Sequence, residues 1–225
     1  MFHFLKNNFE QHDSGSLKLM KNNFINIKYL LNLSFFYSAF KKIIGGNKSA
    51  RKYVKEFLKI NTGDHVLDIG CGNGDIINFL PLGIFYIGID INSNYIKNAK
   101  KKFIGKGVFI NNKFSKDLIE NYNNFDVIMA NGLLHHLGNE DAIELFEASY
   151  KALKKGGKLI TMDGCYIENN SKIVNLILKS DRGKFVRTKE CYFKLASQTF
   201  KQIKIFIRKD LLFIPYCHII MECIK

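Results

Sequence analysis

Apolar positions first recur at helical spacing in Ala50, Tyr53, Val54, Phe57 and Leu58, which gives one buried face after the break at Gly45-Gly46. From Asn61 onward the pattern alternates between two periods. The runs Val66 to Ile69, Ile84 to Asp90 and Phe125 to Ala130 have the length and branched character of buried strands, while Ile96, Ala99 and Phe103 mark a helix between them. Pro81 is expected to stop a helix that opens at Gly74. Asn139 reads as an N-cap, with Glu140 and Asp141 in the first turn and Lys151, Lys154 and Lys155 in the last, before Gly156. That charge order suits a helix dipole, so these residues need no catalytic explanation.

The final third predicts a helix over Ile173 to Leu178, a loop at Asp181-Arg182-Gly183 and a helix from Thr188 to Gln198. Ile203, Ile205 and Ile207 alternate with Gln202, Lys204 and Arg208 as a half-buried strand does, and Ile214 to Ile224 is expected to be the last strand, with Pro215 near its start. Strands alternating with helices imply an α/β chain: a parallel sheet covered on both faces, with its ligand at the carboxyl ends of the strands. Ahead of this lies a different segment, polar and asparagine-rich, then apolar and aromatic from Ile25 to Phe40. It predicts a helical N-terminal cap over residues 1–48, with the main domain at 49–225. Tyr37 and Phe40 either cover a ligand or are core aromatics of the cap.

The chemistry concentrates in Asp68-Ile-Gly70-Cys71-Gly72-Asn73-Gly74, a strand end with a carboxylate followed by glycines at every second position. Glycine lets the backbone turn through positive φ and approach a ligand closely. A dinucleotide fingerprint would place its third glycine one residue later, and here Asp75 stands at that place. Asp68 would also repel a pyrophosphate in a partly dehydrated pocket. A phosphate-free, cationic cofactor suits the site better.

The loop resembles the first motif of the class I S-adenosylmethionine-dependent methyltransferases, and further segments resemble that family in the same order. Ile84 to Asp90 is similar to its second strand with a terminal acid, Phe125 to Leu137 to its fourth strand and the loop beyond, and Leu153 to Ile160 to the next helix-to-strand corner. The resemblance covers roughly residues 49 to 165. It implies a Rossmann-like three-layer α/β sandwich around a mostly parallel seven-stranded sheet whose last strand is antiparallel. It also implies S-adenosyl-L-methionine as cofactor, held by Asp68, Gly70, Cys71, Gly72, Gly74, Asp90, Ile91, Phe114, Ala130 and Asn131, with Asp90 accepting both ribose hydroxyls. Lys113 stands where many relatives carry an acid near the adenine, so Asn112, Ser115, backbone groups or the face of Phe114 are expected to serve there instead.

Methyl transfer needs a positioned nucleophile and a route for its proton. His135 and His136 follow the fourth strand, where the family places residues facing the methyl group; one is a candidate general base, His135 the better placed, and packing is the competing role for both. Arg182, Lys184 and Arg187 form a basic cluster that either docks an anionic acceptor or is a solvated loop. Tyr216 and His218 are weaker candidates, Cys71 is explained by its small size, and no His-x-x-x-His or paired-cysteine spacing predicts a metal.

The formal charge of +14 over 225 residues invites a nucleic-acid reading. Abundant Lys, Asn, Ile and Phe with two prolines is what an AT-rich coding sequence produces whatever the partner, so a solvated basic face or an anionic small substrate is preferred. Five scattered cysteines suggest a reducing, cytoplasmic setting and lack the clustering of a radical enzyme. Neither a signal peptide nor a membrane span is expected. The expected function is methyl transfer to a small-molecule acceptor, with oxygen preferred over nitrogen; the alternatives are an RNA or protein methyltransferase and a binding protein without catalysis.

Overall fold

The computed structural model describes residues 46–225 apart from 116, 117, 119–121 and 182, so the expected cap over 1–48 lies almost wholly outside the described residues. Eight strands form one assembly: β1 His65–Ile69, β2 Phe85–Asp90, β3 Val108–Asn111, β4 Phe125–Asn131, β5 Leu153–Tyr166, β6 Arg187–Thr188, β7 Gln202–Arg208 and β8 His218–Ile224. Their order is β3-β2-β1-β4-β5-β8-β7, with the short β6 added beside the end of β5. Only β8 runs against its neighbours, pairing antiparallel with both β5 and β7. The mostly parallel sheet with an antiparallel final strand is the expected fold, and β6 is the addition.

The central strands are buried on both faces, which explains their nearly unbroken apolar sequence. Alternation divides them between two cores. Leu67, Ile69, Ile128, Ala130 and Leu159 share one core with Phe146, Tyr192 and Phe200. Val66, Val127, Met129 and Ile160 share the other with Tyr53, Phe57, Leu58, Ile96 and Phe103. Truncating a fully buried ring such as Phe146 to alanine would cost about 3–5 kcal/mol.

Five α-helices occur among the described residues: α1 Gly46–Tyr53, α2 Ser93–Lys102, α3 Asn139–Ala152, α4 Lys172–Ser180 and α5 Lys189–Ala196. A π-helical turn over Val54–Leu58 extends α1 and buries Phe57 and Leu58. Side-chain oxygens of Asn92, Ser171 and Thr188 cap α2, α4 and α5 by accepting from amides in the first turn.

Four local expectations need correction. The segment after the glycine loop is a five-residue 3₁₀ turn, Asp75–Phe79, because Leu80 before Pro81 is already extended. Gly138, not Asn139, occupies the N-cap of α3, since the Asn139 carboxamide is taken by Arg187. That helix ends at Ala152 because Leu153 turns extended and pairs with Phe125; Lys154 then bonds Asp126 from β5. The last strand begins at His218, beyond Pro215, which has no amide to give to a ladder.

Candidate functional site

Parallel strands bring their carboxyl ends to one edge of the sheet, and register pairs Ile69 with both Ile89 and Ala130 there. Gly70 and Cys71 both donate their amides to the Ile89 carbonyl, at 2.8 and 3.1 Å, so the glycine loop folds across the end of β2. Gly72 has φ +55° and an added Cβ would meet nothing within 4 Å, so this turn is open as well as strained for any other residue. At Gly74 the reason for glycine is different. A Cβ would lie 2.8 Å from the Phe109 ring, so the loop closes only without one.

Asp90 faces this loop. Its Oδ2 accepts from the Gly72 amide at 2.9 Å and its Oδ1 from the Asn92 amide at 2.8 Å. A carboxylate offers about four lone-pair positions, so capacity for two further donors remains. The open turn at Gly72 and this spare capacity fit a ribose diol. Asp68 is buried behind the loop, where the Tyr86 hydroxyl donates to its Oδ2 at 2.7 Å. Cys71 packs against Gly88, and burial pushes its thiol well above the usual range, which suits a packing role.

The other candidate cofactor residues surround this edge. Ile91 follows Asp90 and is 75% exposed, Phe114 is half-buried beyond β3, Ala130 is buried in β4, and Asn131 ends β4 with its amide oxygen buried and unpartnered. Lys113 is drawn outward to Asp141 at 3.1 Å.

Past β4 the chain makes a 3₁₀ turn, Leu134–His136, that places His135 inside and His136 outside, their rings 4.2 Å apart. Asp163, near the end of β5, accepts on Oδ1 from both the backbone amide of His135 at 3.2 Å and its ring Nδ1 at 2.8 Å. An ionised carboxylate only accepts, so Nδ1 carries the proton and Nε2 is left as the basic nitrogen. Nε2 points to Asp181 Oδ1 at 3.4 Å. Burial alone would lower the His135 pKa, but the bond and charge of Asp163, with the charge of Asp181, outweigh it and leave the pKa raised above 6.5.

Arg187 holds this turn in place. Its guanidinium donates to the carbonyls of Leu134 at 2.8 Å and Leu137 at 2.7 Å and to the Asn139 side chain. Of the basic cluster read from sequence, Arg187 is therefore a structural fork, Lys184 is exposed and Arg182 lies outside the described residues. Tyr216 donates to Asp181 at 2.8 Å and packs against His218 with the ring planes tilted by 50°, and burial depresses the His218 pKa to about 4. Sequence reading missed Asp163 and Asp181. An acid at the carboxyl end of a central strand was a usable signal for the first, whereas nothing local marked the second.

A family profile described as a methyltransferase domain matches residues 67–159, the stretch from the glycine-loop strand to β5. The phosphoethanolamine N-methyltransferase of Plasmodium falciparum is 33% identical over 134 residues, 57% of this chain and 50% of that protein. Among solved structures, Haemonchus contortus phosphoethanolamine N-methyltransferase 2, in complex with phosphomonomethylethanolamine and S-adenosylhomocysteine, superposes with a TM-score of 0.66 at 17% identity, covering 87% of this chain and 58% of that one. A TehB-like S-adenosylmethionine-dependent methyltransferase of Corynebacterium glutamicum gives 0.60 at 15% identity, covering 88% and 97%. The chain spans half or less of the length of the curated relatives it matches. No helix among the described residues is long and apolar enough to cross a membrane. The glycine loop after β1, the acid ending β2 and this strand order, together with the methyltransferase-domain match over residues 67–159, are features of the class I S-adenosylmethionine-dependent methyltransferase superfamily.

Proposed function

We propose that this protein binds S-adenosylmethionine at the glycine loop and methylates the amine nitrogen of a small anionic acceptor of the phosphoethanolamine class. The observation that carries the cofactor reading is the Asp90 carboxylate bonded to the Gly72 amide at an open glycine turn, with lone pairs left for a diol. Asp90, Ile91 and Phe114 would hold the nucleoside part, and Gly70, Cys71, Gly72, Gly74, Ala130 and Asn131 the turn beside it. Bound there, the cofactor supplies an electrophilic methyl group.

The residues of this chain supply the proton path. His135 Nε2 takes a proton from the acceptor ammonium, and Asp163 stabilises the imidazolium that results. With that proton removed, the nitrogen lone pair would be free to accept the methyl group, the electrons of the C–S bond staying with sulfur. The sequence alone favoured oxygen. Nitrogen is proposed instead because the curated relatives are named for N-methylation of an amine, and because the raised His135 pKa suits deprotonation of an ammonium better than a weaker base would. The basic net charge supports an anionic acceptor.

Incubation with methyl-labelled S-adenosylmethionine and phosphoethanolamine tests the reading. Labelled phosphomonomethylethanolamine is the expected product. Label in a hydroxyl acceptor, with none in the amine, would contradict it.

A further inference from the structure

Three charged or basic groups run outward from the core in a line. Side-chain exposure rises from 0% at Asp163 to 9% at His135 and 22% at Asp181. Of the three, Asp181 is the most accessible to a molecule from solvent. Because Nδ1 is committed to Asp163, a neutral His135 turns a lone pair toward the Asp181 carboxylate 3.4 Å away. When the ring is neutral the two acceptors face each other in a half-buried place, and either a proton on Nε2 or a donor from a bound molecule satisfies them.

We propose that Asp181 is a specificity-determining residue that selects an acceptor nitrogen bearing at least two protons and a positive charge. The inference rests on the amine reading above and adds the residue that enforces it. An ammonium donates one N–H to Asp181 and presents another to His135 Nε2, so both acceptors are satisfied and the charge is matched. A hydroxyl has one proton. It leaves one of the two facing a lone pair.

Asp181 is built to stay where it is. Tyr216 donates to its Oδ2 at 2.8 Å, and the Gly183 amide donates to its Oδ1 at 3.0 Å. The same connection is tied to the histidine turn by Phe185, whose amide donates to the His135 carbonyl at 2.9 Å, and by the Arg187 fork. Carboxylate and imidazole are thus both bonded to the same connection. Gly183 makes this closeness possible, since a Cβ there would lie 1.9 Å from His135 Cδ2.

The test compares the full chain with Asp181→Asn and Asp181→Glu, using phosphoethanolamine and its hydroxyl counterpart, 2-hydroxyethyl phosphate. Asparagine still accepts from Tyr216, and S-adenosylhomocysteine affinity reports that the variant is folded. In Asp181→Asn we expect KM for phosphoethanolamine to rise roughly 10- to 100-fold with kcat changed much less. The binding preference for amine over hydroxyl ligand, measured in saturating S-adenosylhomocysteine, should collapse toward one, and Asp181→Glu should recover part of it. An Asp181→Asn enzyme with KM within twofold of wild type, or with its amine preference intact, overturns the inference while leaving the amine reading standing. A wild type that neither methylates phosphoethanolamine nor prefers it to 2-hydroxyethyl phosphate overturns both.

Discussion

One oxygen of Asp163 receives two hydrogen bonds from His135, one from its backbone amide and one from ring Nδ1, at 3.2 and 2.8 Å. Double attachment fixes both the position of the residue and the rotation of its ring. Asp163→Asn keeps the shape but offers an amide in place of a charge. Turnover should fall at least 10-fold with S-adenosylhomocysteine affinity unchanged, roughly the loss expected when a general base is misoriented or weakened. Steady-state kinetics beside calorimetry checks this; equal turnover would assign the pair to packing alone.

The two buried histidines give opposite pH signatures. His135 holds its proton more tightly when folded, so its contribution to stability is full below 6.5 and is lost as pH rises through the raised folded value. His218 is kept neutral by burial down to about 4, while the unfolded chain takes up a proton near 6.5, so stability is lost as pH falls between those values. His218→Phe should remove up to about 3 kcal/mol of that acid-side loss. Urea melts at pH 4.5 and 7 read the difference, and activity should rise with pH through a midpoint above 6.5.

Arg187→Lys replaces a fork that spans three backbone carbonyls and the Asn139 side-chain oxygen with a single point donor. At least one carbonyl of the histidine turn then loses its partner. A stability loss of about 1–3 kcal/mol is expected, together with lower kcat, because His135 hangs on that turn. Thermal melts and kinetics of the single variant check both.

Gly183→Ala drives a methyl group into the His135 ring, with the nearest approach at 1.9 Å and the His135 carbonyl at 2.6 Å. Neither neighbour is a flexible side-chain end, so the connection must move outward. Overpacking of this kind costs about 1–3 kcal/mol, and turnover should drop with it. A variant with wild-type melting and turnover would show that the connection is looser than its contacts imply.

The sheet was legible because buried parallel strands leave continuous apolar runs such as Val66 to Ile69, and because the glycine loop and Asp90 lie only 16 residues apart from Gly74 and announce themselves locally. The imidazole pair was legible as a place but not as a mechanism. His135, Asp163 and Asp181 are 28 and 18 residues apart, and the parallel pairing of β4 with β5, together with the α4–β6 connection, brings them together. Arg187 and Asn139 show the same limit. Each has a plausible local role, as anion dock and as helix cap, and each is diverted by a partner 48 residues away.

Asp90 carries the cofactor assignment, and Asp90→Ala should weaken S-adenosylhomocysteine binding by about 1–3 kcal/mol, through loss of the diol acceptor and of the Gly72 anchor. Unchanged affinity would break the match of β2 to the family's second strand.

Calorimetric titration of the purified chain with S-adenosylmethionine, S-adenosylhomocysteine and NAD in parallel tests the central claim most directly. The account predicts saturable binding of the first two and none of NAD. Binding of NAD alone would contradict it, and the methyl-transfer function would fall with it.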